Sequence, residues 1–147
     1  MGKNLSELSV EFSTLVELLR WRALHQPKQK AYSFLLDGEV EGFDLTYGEL
    51  DYQARVIGAV LQSYGVISGE RALLLYPSGL EFIAAFFGCL YAGVVAVPAY
   101  PPRPNQSLSR LQAVVADAQP AIALTTTTVL SNIEQQLWAI YTHLYGC

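Results

Sequence analysis

The 147-residue chain has little of what most enzyme chemistry draws on: two cysteines, two histidines and only 15% charged side chains. Cys89 sits inside an apolar run and Cys147 at the terminus, which gives neither a disulfide framework nor a metal-ligand spacing, so a reducing, cytoplasmic setting is expected. His25 and His143 lie in a helix-ending turn and in the tail, far from any Ser or Cys in a nucleophile-elbow context. That excludes a catalytic triad and, by the same scarcity, zinc. The nine Lys and Arg are spread over the first 110 positions of a chain with net charge -4, leaving no basic stripe for phosphates and no nucleic-acid partner. Neither Gly-x-Gly-x-x-Gly nor Gly-x-x-x-x-Gly-Lys-Ser/Thr is present, so the common phosphate cradles are missing. The N-terminus interrupts its apolar residues with Glu7 and Glu11 and has no small-residue cleavage site, so no secretion signal is expected. What the chain does have is apolar mass. At 52% hydrophobic and 12% aromatic it is far from the disordered class, and its length suits one domain with a sizeable core.

The longest uncharged run, Phe82 to Tyr100, approaches the ~20 residues a membrane helix needs. Ala92-Gly93 breaks it, the β-branched Val94-Val95-Ala96-Val97 follows, and Pro98 closes it. No Lys/Arg cluster flanks it to set an orientation. The run therefore reads as a buried helix followed by a buried strand, with no membrane span.

Four Ser/Thr-x-x-Glu pairs mark helix starts: Thr14/Glu17, Thr46/Glu49, Ser78/Glu81 and Ser131/Glu134. The first helix aligns Phe12, Leu15, Val16, Leu19 and Ala23 and ends at His25-Gln26-Pro27. The second places Tyr47, Leu50, Ala54, Ile57, Leu61 and Tyr64 on one face and Asp51, Arg55 and Gln62 on the other, with Gly65 as its stop. A third, Ser78 to Tyr91, is apolar nearly all round and expected to be central. A fourth, Ser107 to Ala118, turns Leu108, Leu111, Val115 and Ala118 inward. Strands are expected at Ala31–Leu36, Phe43–Thr46, Arg71–Tyr76, Val94–Val97 and Ala121–Thr125. The last three are continuous apolar runs, as strands covered on both faces require. They make two successive βαβ units in a parallel, right-handed wind, while the first two, joined through Asp37-Gly38, form an antiparallel hairpin.

Three segments are candidates for function. The acidic group Asp37, Glu39, Glu41 and Asp44 lacks calcium-loop spacing and reads as a solvated hairpin tip. Tyr76 to Phe82 turns a buried strand into a helix whose N-terminus suits an anion, although capping explains Ser78 and Glu81. Pro98, Ala99, Tyr100, Pro101 and Pro102, continuing through Arg103 to Pro104, follow the C-terminal end of a parallel strand, where open α/β sheets place ligands.

The segments LTYGEL at 45–50, ALLLYPSGLEFIAAFFGCLYAGVVAVPAYPPRP at 72–104 and SRLQAVVADAQPAIALTT after them resemble the start of the adenylate-forming ligases. Within that superfamily they are similar to the fatty acyl-AMP ligases, for which the string from Pro98 to Pro104 is characteristic. The resemblance covers positions 13 to 136. It implies the opening of the large N-terminal domain of an enzyme that joins a long-chain fatty acid to the α-phosphate of ATP, with Mg, and passes the acyl group to an acyl carrier protein or polyketide synthase. It also implies a downstream Gly/Ser/Thr-rich phosphate loop with its Lys, nucleotide-holding motifs, a hinge and a C-terminal catalytic Lys, none of which this sequence contains. Thr125 to Thr128 has neither the glycine nor the following Lys of a phosphate loop and reads as strand end and helix cap.

The expected fold is therefore α/β: incomplete parallel βαβ units with an N-terminal helix and β-hairpin. Residues 1–12 form a tail, 13–136 the partial AMP-dependent synthetase/ligase domain, and 137–147 an atypical tail attributed to a frameshift or premature stop near position 137. Pro98, Ala99, Tyr100, Pro101 and Pro102 are the candidate substrate-side residues, and no residue is assigned a catalytic, cofactor or metal role. The chain alone is expected to be inactive, to bind no cofactor, and to self-associate through an uncovered strand, Ala121 to Thr125, and an uncovered face of the 78–91 helix. The alternative is a self-standing flavodoxin-like binding or interaction module without catalysis.

Overall fold

The computed structural model describes residues 11–38, 42–103 and 106–134. Helix α1 (Leu15–His25) precedes an antiparallel pair, β1 (Lys30–Leu35) and β2 (Gly42–Thr46). Then come α2 (Tyr47–Ser63), β3 (Arg71–Leu75), α3 (Leu80–Ala92), β4 (Val95–Ala99), α4 (Ser109–Ala118) and β5 (Ile122–Thr125). A further helix, α5, occupies 127–134. No helix among the described residues is long and apolar enough to cross a membrane. Glu39, Glu41, Pro104, His143, Cys147 and the tails 1–10 and 135–147 lie outside the described residues.

The helix starts follow local chemistry, with two corrections. Thr46 and Glu49 form a full capping box, each side chain accepting from the other's backbone N–H. Thr14 accepts from the N–H of Glu17, but the Glu17 carboxylate turns to Ser13, whose hydroxyl and N–H donate to it and hold its pKa below the usual carboxylate value. Ser78 does not cap α3. Gly79 takes the N-cap position, which moves the Ser78 hydroxyl one residue too far out. Ser131 does not open a helix either. Thr126 accepts from the N–H of Val129, α5 starts there, and Ser131 lies inside it, donating to the Thr128 carbonyl. The helix ends match expectation more closely. Gly65 (φ +78°) and Gly93 (φ +71°) supply the left-handed residues that stop α2 and α3.

The three parallel strands stand in the order β4-β3-β5, with β3 in the middle. Arg71 pairs with Val95 and Leu75 with Ala99 on one side, and Ala72 with Ile122 and Leu75 with Thr125 on the other. The second βαβ unit thus does not step outward past β4; it returns across β3. Two right-handed crossovers in opposite directions must put their helices on opposite faces, and they do. Ala72 and Leu74 pack with Leu61 of α2 and with Ala85 and Cys89 of α3, whereas Leu73 and Leu75 pack with Leu111 and Val115 of α4 and Ile133 of α5. β3 is buried throughout from Ala72 to Leu75, whereas β4 gives Ala96 to one core and Val97 and Ala99 to the other while leaving Val95 and Pro98 exposed. Among the described residues β4 and β5 are the edge strands and are only partly buried, which corrects the expectation of three fully covered strands.

A second core joins the hairpin and α1 to this sandwich through Leu19, Leu45, Leu50, Ala54, Ala84 and Phe87. Three expected faces differ in detail. Tyr64 is exposed, because it is the C-cap of α2 where the chain turns through Gly65. Asp51 does not face away: it accepts from the Tyr91 hydroxyl at 2.7 Å and from Arg55 at 3.0 Å, tying α2 to α3. Helix α3 contributes none of the exposed large apolar residues, since α1 and α2 cover it. The uncovered stripe is instead on α2, at Tyr52, Val56 and Val60.

Candidate functional site

Parallel sheets expose a ligand-sized crevice where the helices after two neighbouring strands leave to opposite faces. In this chain that point lies between β3 and β5, since β3 leads to α3 on one face and β5 to α5 on the other. An open cleft of about 460 Å³ lies there. Tyr76 and Glu81 come from the end of β3 and the first turn of α3, Thr125, Thr126 and Thr127 from the end of β5, and Tyr52, Gln53 and Val56 from α2. The Thr125 hydroxyl donates to the Leu75 carbonyl at 2.6 Å, closing the cleft floor across the two strands.

Its electrostatics are simple. Among the described residues Glu81 is the one charged residue lining the cleft and no Lys or Arg does, so the described lining offers an anion no positive partner. Burial, reinforced by the charge of Glu81, pushes the Tyr76 phenol up to about 12, so it remains a neutral hydrogen-bonding group at physiological pH. Burial likewise pushes the Cys89 thiol up to about 11, which makes it an inert core residue. Among the described residues no cluster of three or more His, Cys, Asp or Glu could hold a metal ion. The acidic hairpin residue Asp44 pairs with Lys30 at 2.7 Å and accepts from Ser33.

The sequence-derived loop lies elsewhere on the same sheet edge. Pro98 and Ala99 are the last residues of β4, Tyr100 is 86% exposed, and Pro101 and Pro102 are half-buried. They leave the sheet on the far side of β3 from the cleft, and none lines it. Glu81 and Thr125 to Thr127, which the sequence explains as caps and a strand end, are brought together with Tyr76. The missing signal was the strand order, because only the pairing of β5 with β3 makes their ends neighbours.

The central strand β3, the crossover across it and the cleft at its end define an open, parallel α/β sheet, and the chain matches the family of AMP-binding enzymes over residues 19–142. The chain belongs to that family. Among curated proteins it is 54% identical over 128 residues, 85% of this chain and 22% of the relative, to a medium-chain-fatty-acid–[acyl-carrier-protein] ligase of Moorena producens. It is 37% identical over 123 residues, 82% of this chain and 21% of the relative, to a long-chain-fatty-acid–AMP ligase of Mycobacterium marinum. Among solved structures, the fatty acyl-adenylate ligase of L. pneumophila, in complex with acyl adenylate and pyrophosphate, matches at a TM-score of 0.79 and 40% identity, covering 84% of this chain and 21% of that one. The chain spans about a fifth of the length of these relatives.

Proposed function

We propose that these residues form the opening part of a domain that activates a fatty acid as its acyl adenylate for transfer to an acyl carrier protein or polyketide synthase, and that the 147-residue chain alone does not catalyse the reaction. The observation that carries this reading is the 54% identity with a fatty-acid–[acyl-carrier-protein] ligase across 85% of the chain. The parent enzyme's substrate is a fatty acid. The relatives above include both medium-chain and long-chain enzymes, so the long-chain assignment narrows only as far as the acid class.

ATP and Mg belong to the parent reaction, but the donor set of this segment does not fit them. The cleft offers one carboxylate and no cation, whereas adenylate formation builds negative charge on a phosphoryl group that a positioned cation must offset. No residue after Arg110 is basic apart from His143. In this reading the segment's contribution is structural. It supplies the central strand β3, the face that carries α2 and α3, and, beside the sheet's C-terminal edge, the 98–102 loop on the substrate side. The buried, reduced Cys89 suits a cytoplasmic setting. A self-standing flavodoxin-like module is the competing reading, favoured only by the cleft at the switch point. By itself the chain also self-associates, since β4 and β5 each leave a strand edge unpaired among the described residues.

The test is a chimera. Residues 13–134 of this chain replace the matched segment of the Moorena producens ligase. Retention of fatty-acid-dependent adenylation within tenfold of the parent supports the reading. A folded chimera without adenylation overturns it.

A further inference from the structure

Side chains alternate between the two faces of β3, so Arg71 shares with Leu73 and Leu75 the face that packs against Leu111 and Val115 of α4 and Ile133 of α5. It is the one residue of that row that is not apolar. Half-buried, its guanidinium reaches the end of α4, where Nε donates to the Ala118 carbonyl at 2.7 Å and Nη2 to the Gln119 carbonyl at 3.3 Å. The Arg71 backbone carbonyl accepts from the N–H of Ala121 at 2.8 Å, so one residue of β3 holds both sides of the turn from α4 into β5. The last turn of α4 carries no Lys, Arg or His, and the helix closes on Gln119 at φ +47°, a left-handed position where glycine is the usual residue. Its final carbonyls carry the negative end of the helix dipole, and the Arg71 charge meets those of 118 and 119.

The unit that Arg71 holds, α4 with β5 and α5, is attached more thinly than the rest of the fold. Among the described residues it gives Leu111, Val115 and Ile133 to a buried core, none of them fully enclosed, whereas α2, α3 and β3 enclose Leu50, Leu61, Leu74, Leu75 and Cys89 completely. Its seam with β3 is short, from the Ala72–Ile122 pair to the Leu75–Thr125 pair. Side chains pin that seam at its two ends, Arg71 before the first pair and the Thr125 hydroxyl on the Leu75 carbonyl at the last. The cleft straddles it, with Thr125, Thr126 and Thr127 on the unit and Tyr52, Tyr76 and Glu81 on the body opposite.

We infer that Arg71 is a latch: it keeps the α4–β5–α5 unit closed on β3, and its release opens the seam, and the cleft with it, while the body of α2, α3 and β3 stays folded. Partial opening of this kind is drawn from the least enclosed cooperative unit of a fold. Hydrogen bonds from a charged donor are roughly twice as strong as neutral ones, so the Arg71 end holds more of the closure than the Thr125 end. The inference is independent of the adenylation reading, since the contacts that carry it lie within this chain.

Residue-resolved hydrogen exchange tests this, in sub-denaturing urea and at a chain concentration low enough that the rates no longer depend on it. In the wild-type chain the protected amides of α4 and β5 are expected to exchange as one group, at least about tenfold faster than those of α2 and α3, which wait for global unfolding. Arg71→Met keeps the stem and removes the donors, and is expected to speed the α4 and β5 amides about tenfold, because opening no longer breaks those bonds. Arg71→Lys falls between, a point charge replacing the fork. Leu50→Val, in the core that stays intact in the open form, is expected to speed the α2 and α3 amides and leave those of α4 and β5 unchanged. Unchanged α4 and β5 rates in Arg71→Met overturn the latch. If that variant does not fold, the other two chains decide: α4 and β5 exchanging at one rate with α2 and α3 in the wild type, or all four elements speeding equally in Leu50→Val, shows a single cooperative unit and overturns the inference.

Discussion

The Thr125 hydroxyl donates to the Leu75 backbone carbonyl at 2.6 Å, linking the C-terminal ends of β5 and β3 where their following helices diverge. The bond lies at the floor of the cleft and is half-buried, so its loss leaves a carbonyl lone pair poorly solvated. Thr125→Val keeps the β-branched shape and removes the donor. The expected cost is about 1 kcal/mol, read as a lower urea midpoint with an unchanged slope.

Helices α2 and α3 approach so closely that glycine is required at the crossing. A Cβ on Gly88 would stand 2.4 Å from Cγ2 of Ile57, and one on Gly58 would meet the Gly88 carbonyl oxygen at 3.3 Å. Gly88→Ala must push the helices apart against the Asp51–Tyr91 hydrogen bond that ties them. A loss of ~1–3 kcal/mol is expected from such overpacking, against a much smaller loss for Gly58→Ala, where the contact is looser. Equal midpoints for the two variants would contradict the geometry.

Alkaline pH should destabilise the fold. Burial raises the folded-state pKa of Cys89 from 9.0 to about 11 and of Tyr76 from 10.0 to about 12, and burial and the bond to Asp51 raise that of Tyr91. Each group is neutral when protonated, so the folded chain binds more protons than the unfolded chain between the two values. Stability is then full below the unfolded pKa and falls as pH rises through the folded one. Urea midpoints should be flat up to pH 9 and decline above it, and Cys89→Ala should flatten the start of the decline. A midpoint that rises above pH 9 would show the opposite linkage.

The elements were legible because helix and strand periods are local. Thr46 with Glu49, Gly65, Gly93 and the apolar run of β3 fix their own structure within a few residues. The site was not legible, because its residues meet only through non-local pairing. Nothing near Thr125 says that it lies beside Leu75 and not beside Ala99, and that difference decides which strand ends line the cleft. Ser78 shows a second limit. Its spacing to Glu81 suits a cap, but Gly79, one residue on, takes the N-cap position, and a three-residue pattern does not encode which neighbour wins. The 98–102 loop lies at the end of β4, one strand away from the cleft, and lines no part of it.

The central proposal is that this chain folds as the opening of a fatty-acid-activating domain whose described cleft presents no cation to stabilise adenylate formation. Losing even one positioned donor to a developing anion costs ~10²–10³ in rate, and this chain lacks the phosphate loop and its Lys altogether. The direct measurement is fatty-acid-dependent exchange of labelled pyrophosphate into ATP by purified chain, on a sample whose cooperative thermal melt shows it is folded. The account predicts exchange no faster than in the absence of protein for medium- and long-chain acids alike, and acid-dependent exchange above that background would contradict it.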